Sequence, residues 1–297
     1  MGLSALRKIL ALQPFDPAQL RGRTVAVDAD NLIWSFVTAM AATGDAPTNA
    51  HLLGLAGRLR LYARWGARSI WVFDGAQPSL KEATLLARAE RIDTARAAGN
   101  QLGGTEVTED DLAECRALLG LLGVPFLEAP GEAEAQCAQL VASGKAWAAV
   151  TQDWDIALFG APRALRNLTG STTRAPEILD LPAALAMAGL SREELVDAAI
   201  LIGTDYNEGI PGIGPVKAVR LVKKHGTLVG ALAALGVTMT EANAVRDLFF
   251  EHPIDTAYRP RFAAPKARAA LAMLTARGFA EDPARRTVED VAKLHDT

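Results

Sequence analysis

Seven carboxylates fall in five short segments of this 297-residue chain: Asp28 in TVAVDAD, Asp74 in SIWVFDG, Glu132 and Glu134 in APGEAEA, Asp153 and Asp155 in TQDWD, and Asp205 in LIGTDY. Gathered at one place, like charges raise one another's pKa, so such a group is costly unless cations neutralise it. Two divalent ions about 4 Å apart remove that cost and clamp the attacking and leaving oxygens of an in-line displacement. Phosphodiester hydrolysis by an activated water, without a covalent enzyme intermediate, fits this set. All the donors are oxygens, which favours Mg²⁺ or Mn²⁺. Zinc and redox chemistry have no support: Cys115 and Cys137 form no CxxC and read as reduced, buried thiols, and His51, His225, His252 and His295 lack ligand spacing and read as packing or surface residues.

Elements must bring these acids together. Thr24 to Asp28, Ser69 to Asp74 and Ala146 to Thr151 are apolar runs that predict buried strands, and amphipathic segments such as His51 to Trp65 and Asp110 to Leu122 predict helices between them. The alternation implies an α/β fold with a mostly parallel twisted sheet flanked by helices, and it puts the acids at the strand ends, where ligands collect on open sheets. Asp153 and Asp155 share a side if the chain stays extended past its strand, whereas Glu132 and Glu134 open a helix after Pro130-Gly131. One more strand is expected around Ile178. From about Ser191 the chain reads as helical, with Ser191 and Glu194 forming a capping box on a helix that runs to about Gly203. This divides the chain into a metal-dependent core, 1–190, and a helical region, 191–297. A polar Gly-containing stretch from Arg88 to Asp111 reads as a loop on the ligand side, either covering a substrate or merely connecting.

Two basic features accompany the acids. Lys81 and Arg88 follow the Asp74 strand seven residues apart, so a helix would place both on one face within reach of a phosphate, or simply in solvent. Further on, IPGIGPVKAVRLVKKHG has the glycines, the proline and the amphipathic helix of a helix-hairpin-helix. Gly212 and Gly214 would let backbone N–H groups approach a phosphate, with Lys217, Arg220, Lys223 and Lys224 behind them, so that the stretch from Gly209 to Lys224 grips a duplex. Contacts of this kind grip backbone and read no bases. The net charge of −3 does not oppose this: setting aside the seven acids leaves 27 against 31 basic residues. No apolar run approaches the roughly 20 residues of a membrane span, and no targeting signal is visible, which points to the cytoplasm, near the nucleoid in a prokaryote.

Together these motifs resemble the flap endonuclease branch of the XPG-like structure-specific 5′ nucleases, from MGLSALRKIL through VAVDAD, VFDG, EAPGEAEAQCA and TQDWDIALFG to ILIGTDYNEGIPGIGP. The resemblance implies a PIN-like nuclease core and a monomer that cuts branched double-stranded DNA at the base of a 5′ flap, in replication and repair. It implies that the seven acids hold two Mg²⁺ or Mn²⁺ ions, with Lys81 and Arg88 as gateway cations on the scissile phosphate, within a gateway and loop region at about 78–110. It also implies that Trp34 stacks on a base, a contact worth about 1–3 kcal/mol, that Gly2 lies near the active site, and that the hairpin holds K⁺ through backbone carbonyls. The spans 88–132 and 28–51 look short for the family's cap and wedge. Clamp recruitment is not supported, since Phe249-Phe250 is internal and Arg246 stands where such a motif wants an aliphatic residue. The alternatives are a 5′ to 3′ exonuclease using the same residues, a non-catalytic junction-binding scaffold, and a single-strand RNA nuclease, which the hairpin motif disfavours.

Overall fold

Strand parity sets up the whole molecule. In a computed structural model that describes residues 3–42, 47–76, 79–81, 90, 94, 106–170 and 174–294, Val25 and Val27 of one strand face one core and Ala26 faces another. That alternation requires a sheet covered on both sides. The sheet has seven strands: β1 (Gln13–Pro14), β2 (Thr24–Asp28), β3 (Arg68–Phe73), β4 (Phe126–Glu128), β5 (Ala148–Val150), β6 (Arg163–Arg166) and β7 (Glu177–Asp180). Their spatial order is β1-β7-β6-β5-β2-β3-β4. The five strands from β6 to β4 are parallel, and β7 and β1 close the edge antiparallel.

Helices α1 (Ala29–Ala41), α2 (Ala50–Arg64) and α3 (Glu109–Leu121) cover the face carrying Val25, Val27, Trp71 and Phe73. The opposite face, carrying Ala26, Ile70, Val72 and Ala149, is covered by α4 (Ala133–Ala142), α5 (Asp155–Leu158) and the later helices α6 (Leu181–Ala188), α7 (Arg192–Ile202), α8 (Pro215–His225), α9 (Leu228–Leu235) and α10 (Ala242–Phe250). Finally α11 (Ala267–Ala276) and α12 (Glu281–Ala292) return to the first face, where Arg60 of α2 pairs with Asp290 at 3.2 Å.

The expected strands at 24–28, 69–74, 146–151 and near Ile178 all form, the bounded ones within two residues of the expected ends. So does the Ser191 capping box, whose hydroxyl accepts from Glu194 N while Glu194 Oε2 accepts from Ser191 N. Cys115 and Cys137 are buried free thiols. One expectation needs correction: the region after Ser191 is not helical throughout. Residues 251–266 run without regular structure across α4 and β4. Gln136 satisfies both backbone groups of Asp255, through Asp255 N to Gln136 Oε1 (2.7 Å) and Gln136 Nε2 to Asp255 O (3.1 Å), and the Tyr258 hydroxyl donates to Phe126 O. Side chains of the core thus take over the pairing that a helix would supply internally.

Candidate metal centre

Strands β3, β2 and β5 are adjacent and parallel, so their C-terminal ends share one edge of the sheet. Parity then aims the side chains. Asp28 follows Ala26, Asp74 follows Ile70 and Val72, and Thr151 follows Ala149, all towards the α4 face. The Thr151 hydroxyl donates to Asp28 Oδ2 at 2.7 Å, while Asp28 Oδ1 caps α1 by accepting from Asn31 N. From above, α4 points its N-terminus at the same spot, and Ala133 N donates to Asp74 Oδ1 at 2.8 Å. Glu132 is the residue preceding that helix and Glu134 lies in its first turn, as expected.

The second aspartate pair is arranged differently from expectation. Trp154 already has helical backbone angles and α5 begins at Asp155, so the chain does not stay extended past β5. A hydrogen bond from Asp155 N to Asp153 Oδ1 (3.1 Å) joins the two residues instead. Asp205 follows α7 and faces Glu132 and Asp155 electrostatically.

The structure therefore brings all seven acids into one group. Oxygens of Asp74, Glu132 and Glu134 lie within 4.8 Å of one another. Burial, followed by the charge of Asp74, pushes Asp28 well above the carboxylate range. Burial and then Asp28, Asp74, Asp153 and Glu132 do the same to Glu134, and burial and then Asp153 and Asp205 do so to Asp155. Lys81 Nζ sits 2.7 Å from Glu132 Oε2. Burial opposes its charge, but Glu132, Glu134 and Asp74 outweigh burial and raise its pKa. Even so, burial keeps Glu132 raised against the pull of Lys81. One ammonium is too little positive charge for this many carboxylates.

Unpartnered oxygens test the fit to metal ions. Glu132 Oε1, Glu134 Oε2 and Asp155 Oδ1 are buried without a hydrogen-bond partner, each at a cost of about 1–3 kcal/mol. Hard divalent cations take oxygen ligands of this kind, and the donor set fits them.

Arg88 and Gly2 lie outside the described residues, as does most of the loop expected between Arg88 and Asp111. Trp34 is on α1 and 40% exposed, so it is not a core residue. At the hairpin, a side chain on Gly209 would lie 1.9 Å from Ile202 O, whereas one on Gly212 or Gly214 would meet nothing within 4 Å. Gly212 has φ +76°, and Gly214 starts α8 with no side-chain cap. Lys217, Arg220 and Lys224 are exposed at i, i+3 and i+7 along α8. Lys223 is exposed too, but its ammonium donates to the carbonyl of Ala188 at the end of α6 (2.8 Å).

Residues outside the expected set complete the site. Asp30 Oδ2 accepts from Asp74 N at 2.9 Å, and burial and then Asp74 lift its carboxyl to about 7. Its signal was present in VDAD, two residues beyond Asp28. Tyr206 is buried beside Asp205, with the Lys81 ammonium 5.9 Å from its ring centre; burial and then Asp155 and Glu132 raise its pKa. His252 Nε2 accepts from Glu132 N at 2.7 Å, and burial and then Lys81 hold the imidazole at about 4. Nothing in its sequence position marks His252.

A mostly parallel α/β sheet with an oxygen-lined, cation-demanding pit at the C-terminal edge of its parallel strands defines a PIN-like metal-dependent nuclease. The XPG N-terminal domain matches residues 1–95 and the XPG I-region residues 123–205. Flap endonuclease 1 of Methanocella arvoryzae is 36% identical over 280 residues, covering 84% of this chain and 82% of the relative. Flap endonuclease-1 from Methanococcus jannaschii superposes with a TM-score of 0.83 at 28% identity, over 98% of this chain and 99% of that one. The catalytic core of Rad2 in complex with DNA substrate gives 0.79 at 25% identity, over 94% and 96%. The chain belongs to the XPG family of flap endonucleases.

Proposed function

We propose that the seven acids hold two Mg²⁺ or Mn²⁺ ions and that the protein, acting as a monomer, hydrolyses the DNA phosphodiester at the base of a 5′ flap. It is a structure-specific 5′ nuclease of replication and repair, in keeping with the flap endonuclease relatives. The observation that carries the metal reading is the convergence of carboxylates from five segments, with three buried oxygens lacking any protein partner. Bound there, a pair of divalent cations would polarise the phosphodiester and lower the pKa of an attacking water.

The chain's own residues do the rest. Asp28 and Asp74 present their carboxylates from rigid strand ends, each with one oxygen fixed by a backbone N–H. Lys81 adds a positive charge beside the pit for the phosphate whose negative charge develops in the transition state. Lys217, Arg220 and Lys224 grip duplex phosphates behind the open backbone at Gly212 and Gly214. We read K⁺ binding by carbonyls of that turn as part of the same grip.

The test is a labelled double-flap DNA incubated with Mg²⁺, with products sized to the nucleotide and with EDTA and Asp153→Ala controls. One dominant cut near the flap base, absent in both controls, is the expected result. A ladder from the 5′ end would replace the endonuclease with an exonuclease, and binding without cleavage would replace both with a scaffold.

A further inference from the structure

Three consecutive residues at the start of α4 are held by other parts of the chain. The carbonyl of Gly131 accepts from Gly75 N at 2.8 Å and Ala133 N donates to Asp74 Oδ1 at 2.8 Å, so both tie the turn to the end of β3. Between them, Glu132 N donates to His252 Nε2 at 2.7 Å. That partner arrives from 120 residues further along the chain, where the segment leaving α10 crosses the site.

Glu132 has extended backbone angles and makes no side-chain cap bond to its own helix. Its carboxylate is turned to Lys81 and the other acids, so the cap has to come from elsewhere. An imidazole nitrogen that accepts an N–H carries no proton, which places the ring proton on Nδ1. The ring is fixed from both sides. Phe159 packs on it edge-on with centroids 5.1 Å apart, and Asp255, three residues on, is clamped by Gln136. A side chain at position 131 would come within 2.4 Å of Nε2, so the approach exists only because that residue is glycine.

We propose that His252 is a positioning residue of the metal centre: by accepting the Glu132 N–H it fixes the backbone from which Glu132 and Glu134 project, and thereby sets the affinity for divalent cations. The inference rests on the acids being a metal site. Groups that orient metal ligands from behind are typically worth about 10- to 100-fold in metal affinity or activity.

Two substitutions separate the acceptor from the ring. His252→Gln brings an amide oxygen near the position of Nε2 but removes the ring. His252→Phe keeps a ring against Phe159 but offers no acceptor. Each protein is titrated calorimetrically with Mn²⁺ in the absence of DNA, and flap cleavage is followed against Mn²⁺ concentration, with melting in EDTA as the check on folding. His252→Phe is expected to weaken Mn²⁺ binding and raise the half-saturating Mn²⁺ by about 10- to 100-fold, with the KM for DNA unchanged at saturating metal, while His252→Gln stays close to wild type. Should the Phe ring not be accommodated, His252→Leu fills the space without an acceptor and serves the same comparison. An acceptor-free variant that binds Mn²⁺ as wild type does would overturn the proposal, and so would equal losses in the Gln and Phe variants. Wild-type protein that neither binds Mn²⁺ nor cleaves would bring down the metal centre itself, and this inference with it; wild-type binding matched by His252→Phe removes only the role of His252.

Discussion

The acid pit and the hairpin solve opposite problems. In the pit, Asp28 is 2% exposed, Glu132 2% and Asp155 5%, and the backbone N–H groups of Asp153, Asp74 and Glu132 are tied to Thr151, Asp30 and His252. At the hairpin, Gly212 and Gly214 face open space and Lys217, Arg220 and Lys224 lie in solvent. The pit concentrates one sign of charge in a low-dielectric place, at a cost that its ligand removes. The hairpin carries its charge where water screens it and incurs almost no such cost. Chemistry needs fixed atoms, whereas a sequence-blind grip needs only a surface of the right sign.

Loss of one central acid should break the contrast most sharply. Asp153→Ala should abolish flap cleavage while a gel-shift assay shows DNA binding retained; normal turnover would remove Asp153 from the metal site. Next, Lys81→Ala should lower kcat by about 100- to 1,000-fold, the usual scale for losing one donor to transition-state charge, with single-turnover rates as the readout. At the other region, replacing Lys217, Arg220 and Lys224 with Ala should weaken binding and reduce the logarithmic salt slope by about 0.9 for each DNA phosphate no longer neutralised. Single-turnover cleavage at saturating protein should be unchanged. A fall in that rate would mean that the hairpin also shapes the pit.

Smaller effects sharpen the picture. The Asp30 carboxyl is raised from 3.8 to about 7 by burial and Asp74, so between those values the folded chain binds more protons than the unfolded one. Its contribution to stability is then greatest below about pH 4 and is lost as the pH rises towards 7. Asp28, Glu134 and Asp155 shift in the same direction. In EDTA the melting temperature should fall from pH 5 to pH 8, and Mn²⁺ should restore it most at the upper end; a flat profile would deny that the acids repel. The smallest change is Gly212→Ala, which at φ +76° should cost about 1–2 kcal/mol, seen in chemical denaturation, without altering Mn²⁺ affinity.

The sequence displayed what parity and composition can encode. Asp28 and Asp74 were legible because each ends an apolar run, and so was the hairpin, because Gly-x-Gly-Pro before an amphipathic helix has few other uses. Strand β6 escaped because RALR has charged ends; in the fold Arg163 donates to Trp147 O and Arg166 lies over the Trp154 ring. Strand β4, only three residues long, had too few positions to show a period. His252 and the irregular 251–266 segment were illegible for another reason: their partners, Glu132 and Gln136, are about 120 positions away. No local pattern records a contact of that range.

That range has a consequence for the chain as it is synthesised. Strand β1 has its partner only when residues 177–178 are available, and Leu59 and Tyr62 of α2 border Val291 of the last helix. While the remainder is being translated, the outer face of α2 stays an uncovered greasy stripe. A nascent chain therefore keeps this surface open to the cell until α12 is made, and a chaperone could recognise it there.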